Sequence, residues 1–260
     1  MHQSDVDRRT PSSPDGGEAQ PAAPGDAPHE LERAHGLSGE LVLRARDGRL
    51  EVISNGTFLI STDNEASSRA LVSAALPWLP AGPLCILIGG LGLGFALDEA
   101  LALERAASVT VAELEPVVAS WFAHYGGQRA RRASADRRAR IVIEDVRDVM
   151  RSAPEAFDLI CLDTDNGPQW LMREPNAALY DDDGIALAFC TLRAGGLVVF
   201  WSPERYTWFE AALAVRFPSV RAVAAVDVVD GRELEYTMYV AAKISSLEGR
   251  SRPGADDMPE

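Results

Sequence analysis

The apolar run Leu84–Ile88 leads straight into Gly89-Gly90-Leu91-Gly92-Leu93-Gly94. Glycines at the end of such a run let a ligand approach the backbone where a side chain would collide. A dinucleotide-binding loop needs glycines at relative positions one, three and six, and counting from Gly90 the sixth position is Phe95. The pattern present is G-x-G-x-G, at Gly90, Gly92 and Gly94. It suits an adenosyl sulfonium, which has no pyrophosphate to cradle; a tight turn with no ligand is the alternative.

Acids follow the next apolar runs. Val111-Ala-Glu113-Leu-Glu115-Pro116 places Glu113 where a carboxylate can accept both hydroxyls of a ribose. Glu113 lies 19 residues after Gly94, a distance that NAD would also permit. Ile143-Glu144-Asp145 brings a second acid, and Asp145 suits an adenine amino group. Either acid also suits a helix N-terminus, where negative charge is favoured. The run Cys161-Leu-Asp163-Thr-Asp165-Asn166-Gly-Pro-Gln-Trp170 carries two carboxylates that can hold an amine and take its proton. The competing reading is a capped turn with Asn-Gly-Pro chemistry. Trp170 and Trp201 flank these residues, to stack on a substrate or simply to pack.

These residues share a site only if the elements behind them form one sheet. Strands are predicted at Leu84–Ile88, Ser108–Ala112, Arg140–Ile143, Phe157–Leu162 and Leu197–Trp201, alternating with helices at 97–105, 116–125, 146–152 and 184–192. Continuous Val/Ile/Leu strands separated by helices predict a parallel sheet covered on both faces. Ligands of such sheets bind outside the carboxyl ends of the strands. Ala222–Val229 and Leu234–Ala242, around Asp230-Gly231, predict an antiparallel hairpin at one edge. Ahead of the sheet, Asp47-Gly48 and Asn55-Gly56 sit between alternating runs over 40–61, the signal of a small antiparallel sheet. A helix is predicted from Ser67 to Leu76, stopped by Pro77. The predicted division is a disordered tail over 1–37, a β-hairpin domain over 38–66, a nucleoside-binding domain over 67–245 and a second disordered tail over 246–260.

Composition narrows the classes. The chain has 260 residues and a formal net charge of −14, and Lys243 is its only lysine. That balance argues against nucleic acid, whose phosphates call for excess Lys and Arg. The longest apolar stretch, Leu84 to Leu97, has 14 residues and four glycines, too short and too broken for a bilayer. Cys85, Cys161 and Cys190 have no metal-ligand spacing and read as core cysteines of a reducing, cytoplasmic compartment. His2, His29, His35 and His124 are scattered, so no metal site is expected. Six arginines between Arg129 and Arg140 form either a solvated face or a docking patch for an acidic partner.

The stretch from Glu40 to about Ser202 resembles the spermidine synthase family, aminopropyltransferases built on the class I AdoMet-dependent methyltransferase fold. The motifs that carry the resemblance occur in order: Ile88-Gly-Gly-Leu-Gly-Leu-Gly94, Ala112-Glu-Leu-Glu-Pro116, Glu144-Asp145, Asp163-Thr-Asp-Asn-Gly-Pro168, Asn176-Ala-Ala-Leu-Tyr180 and Leu192-Arg-Ala-Gly-Gly-Leu197. The resemblance implies a Rossmann-like, doubly wound sheet in the order 3-2-1-4-5-7-6, preceded by a small antiparallel β domain. It implies decarboxylated AdoMet, or AdoMet itself, as group donor, with Gly89, Gly90, Gly92, Gly94, Glu113 and Asp145 around the nucleoside. It makes Asp163 the base that orients and deprotonates a small-molecule amine. A homodimer is implied by the family alone.

The departures bear on the acceptor. The family's N-terminal Asp-Gly-x-x-Gln is here Asn55-Gly-Thr-Phe-Leu59, and its Tyr-His-Glu is Ser68-Arg69-Ala70. Gly92 stands where the glycine loop usually has an aspartate, and Asn166 where D-x-x-D-P has its second acid, with Asp165 one residue early. Groups that would hold a diamine are missing, so putrescine is not the expected acceptor. The leading expectation is aminopropyl transfer to another amine, with Asp163 as base, Asp165 positioning the acceptor, and Asn166, Trp170 and Trp201 around it. The carboxylate of intact AdoMet beside Asp163 would face a like charge of roughly 4 kcal/mol at about 4 Å and an effective dielectric near 20. Arg69 is the residue that could offset it, which would favour the alternative, methyl transfer to a small molecule. Neither reaction needs a metal, because a sulfonium is already an activated leaving group. A third reading is a nucleoside-binding protein without catalysis.

Overall fold

The structure, a computed structural model, describes residues 28–164, 167–168, 176–229 and 231–244. Its first element is β1 (His29–Gly36), followed by β2 (Gly39–Arg46), β3 (Arg49–Ser54) and β4 (Thr57–Ser61), paired antiparallel in that order. Asp47-Gly48 and Asn55-Gly56 form the two predicted turns, all four residues having positive φ. β1 corrects the expectation of a disordered tail up to residue 37 and enlarges the expected hairpin to a four-stranded sheet. Its sequence carries few apolar residues, so no local pattern marks it as a strand. Contacts from the other domain do: Trp121 Nε1 and Tyr125 Oη donate to the Glu32 carboxylate at 2.8 and 2.9 Å.

The second sheet holds β5 (Leu84–Gly89), β6 (Ala106–Glu113), β7 (Ala139–Ile143), β8 (Phe157–Leu162), β9 (Leu192–Ser202), β10 (Ser219–Val229) and β11 (Arg232–Ala242). The strand order β10-β11-β9-β8-β5-β6-β7 is the 3-2-1-4-5-7-6 arrangement reversed end for end, the class I AdoMet methyltransferase order. β5 to β9 pair in parallel, while β11 runs antiparallel to both β9 and β10. Consecutive residues of β5 serve opposite layers. Ile86 and Ile88 pack with Leu71 of α1 (Glu65–Ser73) and Leu97 of α2 (Phe95–Ala102). Leu87 packs with Met150 of α5 (Val146–Ser152), Ile185 of α7 (Asp182–Thr191) and Leu213 of α8 (Thr207–Arg216). The other helices are α3 (Pro116–Tyr125), α4 (Gly127–Ala135) and the short α6 (Ala177–Tyr180). Among the described residues no helix is long and apolar enough to cross a membrane.

The small sheet docks on α3 and on the start of α2, where Leu41, Leu43 and Val52 pack with Phe95 and Trp121. A carboxylate strengthens this junction. Glu115 accepts from the backbone N–H groups of Leu37 and Ser38 at 2.9 and 2.6 Å, so the β1–β2 turn wraps the tip of its side chain.

One sequence expectation is revised here and another is refined. Cys161 is buried, but Cys190 is exposed on α7, so the cysteines are not all core residues. The arginine run begins in a helix and is largely the expected solvated face, with Arg131, Arg132, Arg137 and Arg140 exposed, while Arg129 and Arg138 work inside the molecule. Arg138 donates to the carbonyls of Leu101, Leu103 and Ala106 and pairs with Asp136. Arg129 donates to the Leu93 carbonyl and lies 4.1 Å from the Phe95 ring centre.

Candidate functional site

Because β8, β5, β6 and β7 are neighbours, their C-terminal ends bring Asp163, the glycine loop, Glu113 and Glu144-Asp145 to one edge of the sheet. A cavity of about 360 Å³ opens there, within the size range of small-molecule sites. Its walls include Gly90, Gly92, Glu113, Asp145, Asp163 and Trp201 from the large sheet, and Phe58, Leu59 and Ile60 from β4.

The glycines do different work. Gly90, Gly92 and Gly94 have φ of +93°, +50° and +81°, a region that L side chains rarely adopt. A β-carbon at Gly90 would collide with the Asp163 carbonyl oxygen, and one at Gly94 with the Phe122 ring. Those two positions are therefore required by packing within the protein itself. Gly89 completes β5, its carbonyl accepting from the Asp163 N–H at 3.0 Å, and neither Gly89 nor Gly94 lines the cavity. Gly92 does, and a β-carbon there would meet only Ile60 Cδ1, at 3.2 Å.

Glu113 is buried at 7% exposure. One of its oxygens accepts from the Leu91 N–H at 2.8 Å and the other from the Glu115 N–H at 2.8 Å. The glycine loop thus fixes the acid beside it, a link between two motifs that their spacing does not disclose. A carboxylate offers about four acceptor sites, so capacity remains for hydroxyl donors. Burial raises the Glu113 pKa against the lowering effect of these hydrogen bonds.

Asp145 caps α5, accepting from the Arg147 N–H at 2.8 Å, and pairs with the Arg147 guanidinium at 2.6 Å. That hydrogen-bonded partner holds its carboxyl below the usual aspartate range. The helix-cap reading of Asp145 is thus realised, and an adenine amino group would share the carboxylate with Arg147. Asp163 follows β8 directly and faces the cavity. Beside it, the Thr164 hydroxyl is buried with no hydrogen-bond partner among the described residues, and the Asn176 amide donates to the Thr164 carbonyl at 3.0 Å. Asp165, Asn166 and Trp170 lie outside the described residues.

Several lining residues were not among the sequence-predicted site residues, although Ser68 stands in the stretch that departs from the family pattern. Tyr236 comes from β11, and its ring lies 5.2 Å from that of Trp201, tilted by 33°. Asn64, Ser67 and Ser68 come from the start of α1, which joins the two sheets. The packing of α1 against α2 and against β8, β9, β10 and β11 carries them to the cavity. Arg69 does not reach the cavity wall. Its guanidinium is held by Glu65, Asp98 and Glu99 at 2.8, 2.9 and 3.2 Å, so it does not offset the charge of Asp163.

The cavity's charge is one-sided. Glu113, Glu115, Glu144, Asp145 and Asp163 line it, and no Lys or Arg does among the described residues. Carboxylates in a walled cleft concentrate cations and repel phosphates. Such a lining favours a cationic ligand over one that carries phosphates. Among the described residues no cluster of His, Cys, Asp and Glu has the form of a metal site.

Comparison with known proteins gives no matching family model and no matching curated protein. Solved structures do match. A spermidine synthase in complex with the transition-state analogue AdoDATO superposes with a TM-score of 0.72 at 17% identity, covering 84% of this chain and 74% of that one. Spermidine synthase from Thermotoga maritima gives 0.71 at 18% identity, with the same coverages of 84% and 74%. Superposition over most of both chains shows that this protein has a spermidine synthase-like fold.

Proposed function

We propose that the protein is a transferase that moves the aminopropyl group of decarboxylated AdoMet to an amine. The observation that carries this reading is the position of Asp163, which opens onto the same carboxylate-lined cavity as Glu113. Glu113 would accept the ribose hydroxyls, and Asp145 would meet the adenine amino group alongside Arg147. The amine nitrogen attacks the aminopropyl carbon bonded to sulfur. As the C–N bond forms, the C–S bond breaks and its electron pair returns to sulfur, releasing methylthioadenosine. The nitrogen's proton passes to the Asp163 carboxylate and from there to solvent. Holding amine and sulfonium in line is the main contribution required of the protein, since the leaving group is already activated. The AdoDATO complex of the similar spermidine synthase supports an adenosyl donor of this shape.

Methyl transfer from intact AdoMet is a second reading, favoured by Gly92, which leaves the centre of the loop without a carboxylate to oppose the donor's own. Thermal-shift titration separates the two. A ligand at a hundred times its dissociation constant stabilises a protein by about 2.7 kcal/mol. Decarboxylated AdoMet is expected to stabilise more than AdoMet at equal concentration. The reverse order would put methyl transfer first, and no shift with either donor or with methylthioadenosine would sink the nucleoside site.

A further inference from the structure

One member of the arginine run reaches the glycine loop. Arg129, in the first turn of α4, donates from Nε to the Leu93 carbonyl at 3.1 Å, and its guanidinium lies 4.1 Å from the centre of the Phe95 ring. Leu93 and Phe95 flank Gly94, the residue before α2, so a single side chain grips both sides of the step from loop to helix. Both residues line the cavity. The loop itself is a closed turn over residues 91–94, with the Gly94 N–H donating to the Leu91 carbonyl at 2.9 Å. At its other end the Leu91 N–H donates to Glu113 at 2.8 Å. Arg129 and Glu113 therefore hold opposite ends of one turn, and Gly92 of the cavity wall lies between them.

Resting on the proposed nucleoside site, we infer that Arg129 is a positioning residue for donor binding, acting through the turn to hold Gly92 in the cavity wall and the Leu91 N–H on Glu113. A glycine-rich turn has more backbone freedom to lose than any other. Fixing it before the ligand arrives removes that cost from binding. The means suit the task, because a charged donor makes a stronger hydrogen bond than a neutral one and a guanidinium over an aromatic ring adds its own attraction. Arg138 supplies the contrast. It also donates to backbone carbonyls, but these belong to Leu101, Leu103 and Ala106, at the far end of α2 and the start of β6. None of those three residues lines the cavity.

The test is titration calorimetry of methylthioadenosine into the full chain and three variants. Arg129→Met keeps the length of the stem and removes the donor and the charge, and its Kd is expected to rise roughly tenfold. Arg138→Met is expected to lower the thermal midpoint of the free protein and to leave Kd at the parent value. Arg129→Gln is the rescue: its amide nitrogen stands where the arginine Nε stood, and most of the affinity lost in Arg129→Met should return. A parent-like Kd in folded Arg129→Met would overturn the inference while leaving the nucleoside site in place. Equal rises in Kd for Arg129→Met and Arg138→Met would overturn it by reducing the effect to general stability. Failure of Arg129→Gln to recover affinity would overturn the route through Leu93. A parent that does not bind methylthioadenosine at all would remove the nucleoside site, and this inference with it. If Arg129→Met does not fold, nitrogen NMR of the parent's arginine side chains decides. The Arg129 Nε–H is expected to exchange slowly and to shift when methylthioadenosine binds, and an Nε–H that does neither overturns the inference.

Discussion

At the strand ends of the large sheet, Glu113 and Asp145 are held by groups close by in the chain or in the adjoining loop. Glu113 is bound by the Glu115 and Leu91 N–H groups, and Asp145 by both the backbone and the side chain of Arg147. The opposite wall is assembled from afar: Leu59 belongs to one sheet, Trp201 and Tyr236 to the other, and Asn64 bonds to Tyr236 across 172 residues. The first region is charged and preset by short-range geometry. The second is largely apolar among the described residues, and exists only once the two sheets have docked.

The contrast can be broken first at its centre. Asp163→Asn is expected to lower turnover by about 10²- to 10⁴-fold, followed as methylthioadenosine release. Thermal stabilisation by methylthioadenosine should stay close to that of the parent, because the role proposed for Asp163 is toward the acceptor. Equal loss of both would remove the division between the two ends.

Within the donor end, Gly94→Ala is expected to destabilise by about 3 kcal/mol in urea unfolding, from its left-handed backbone and the collision with Phe122. Gly92→Ala should cost only about 1 kcal/mol, since Ile60 can give way. Its larger effect should be on donor affinity. Similar stability losses for both would mean that the loop is not divided into packing and ligand-facing positions.

Glu115→Ala tests the strut between the regions. It leaves the Leu37 and Ser38 N–H groups without their acceptor and is expected to cost about 2 kcal/mol. Faster hydrogen exchange should be confined to β1 and β2. Uniform exchange across the large sheet would show that the two sheets do not open separately.

The smallest effects are pH-dependent, and the two donor acids have opposite signs. Burial raises the folded-state pKa of Glu113, so its contribution to stability is present at low pH and fades as pH rises through that value. Asp145 is lowered by Arg147, so its contribution is present above the ordinary aspartate range and is lost as pH falls toward the folded value. Ribose hydroxyls bind the ionised Glu113 best, so donor affinity should fall about tenfold as acidification protonates it. Glu113→Gln should flatten that profile, as read by titration calorimetry between pH 5 and about 8. A profile unchanged by Glu113→Gln would take the acid out of donor binding.

Much of this site follows from sequence alone because its residues stand at strand ends. Apolar runs of β5 to β9 specify strands, the glycine and acid that follow each run specify what lies at its tip, and a parallel sheet places those tips along one edge. The order of the runs and their motifs therefore sufficed for the fold class and for the proximity of Gly92, Glu113, Asp145 and Asp163. What a side chain does at that edge was not determined in this way. Gly90 and Gly94 proved to be demanded by Asp163 and Phe122, and Arg69 proved to be bound by three acids. β1 lacks a local apolar pattern and is a strand by its pairing with β2, held from the other sheet's side by Trp121 and Tyr125. The juxtaposition of Leu59, Asn64, Trp201 and Tyr236 on one cavity was decided by tertiary structure alone, because they lie far apart in the chain. Local hydrophobic periodicity reports which face of an element is buried, and carries no information about which distant face will meet it.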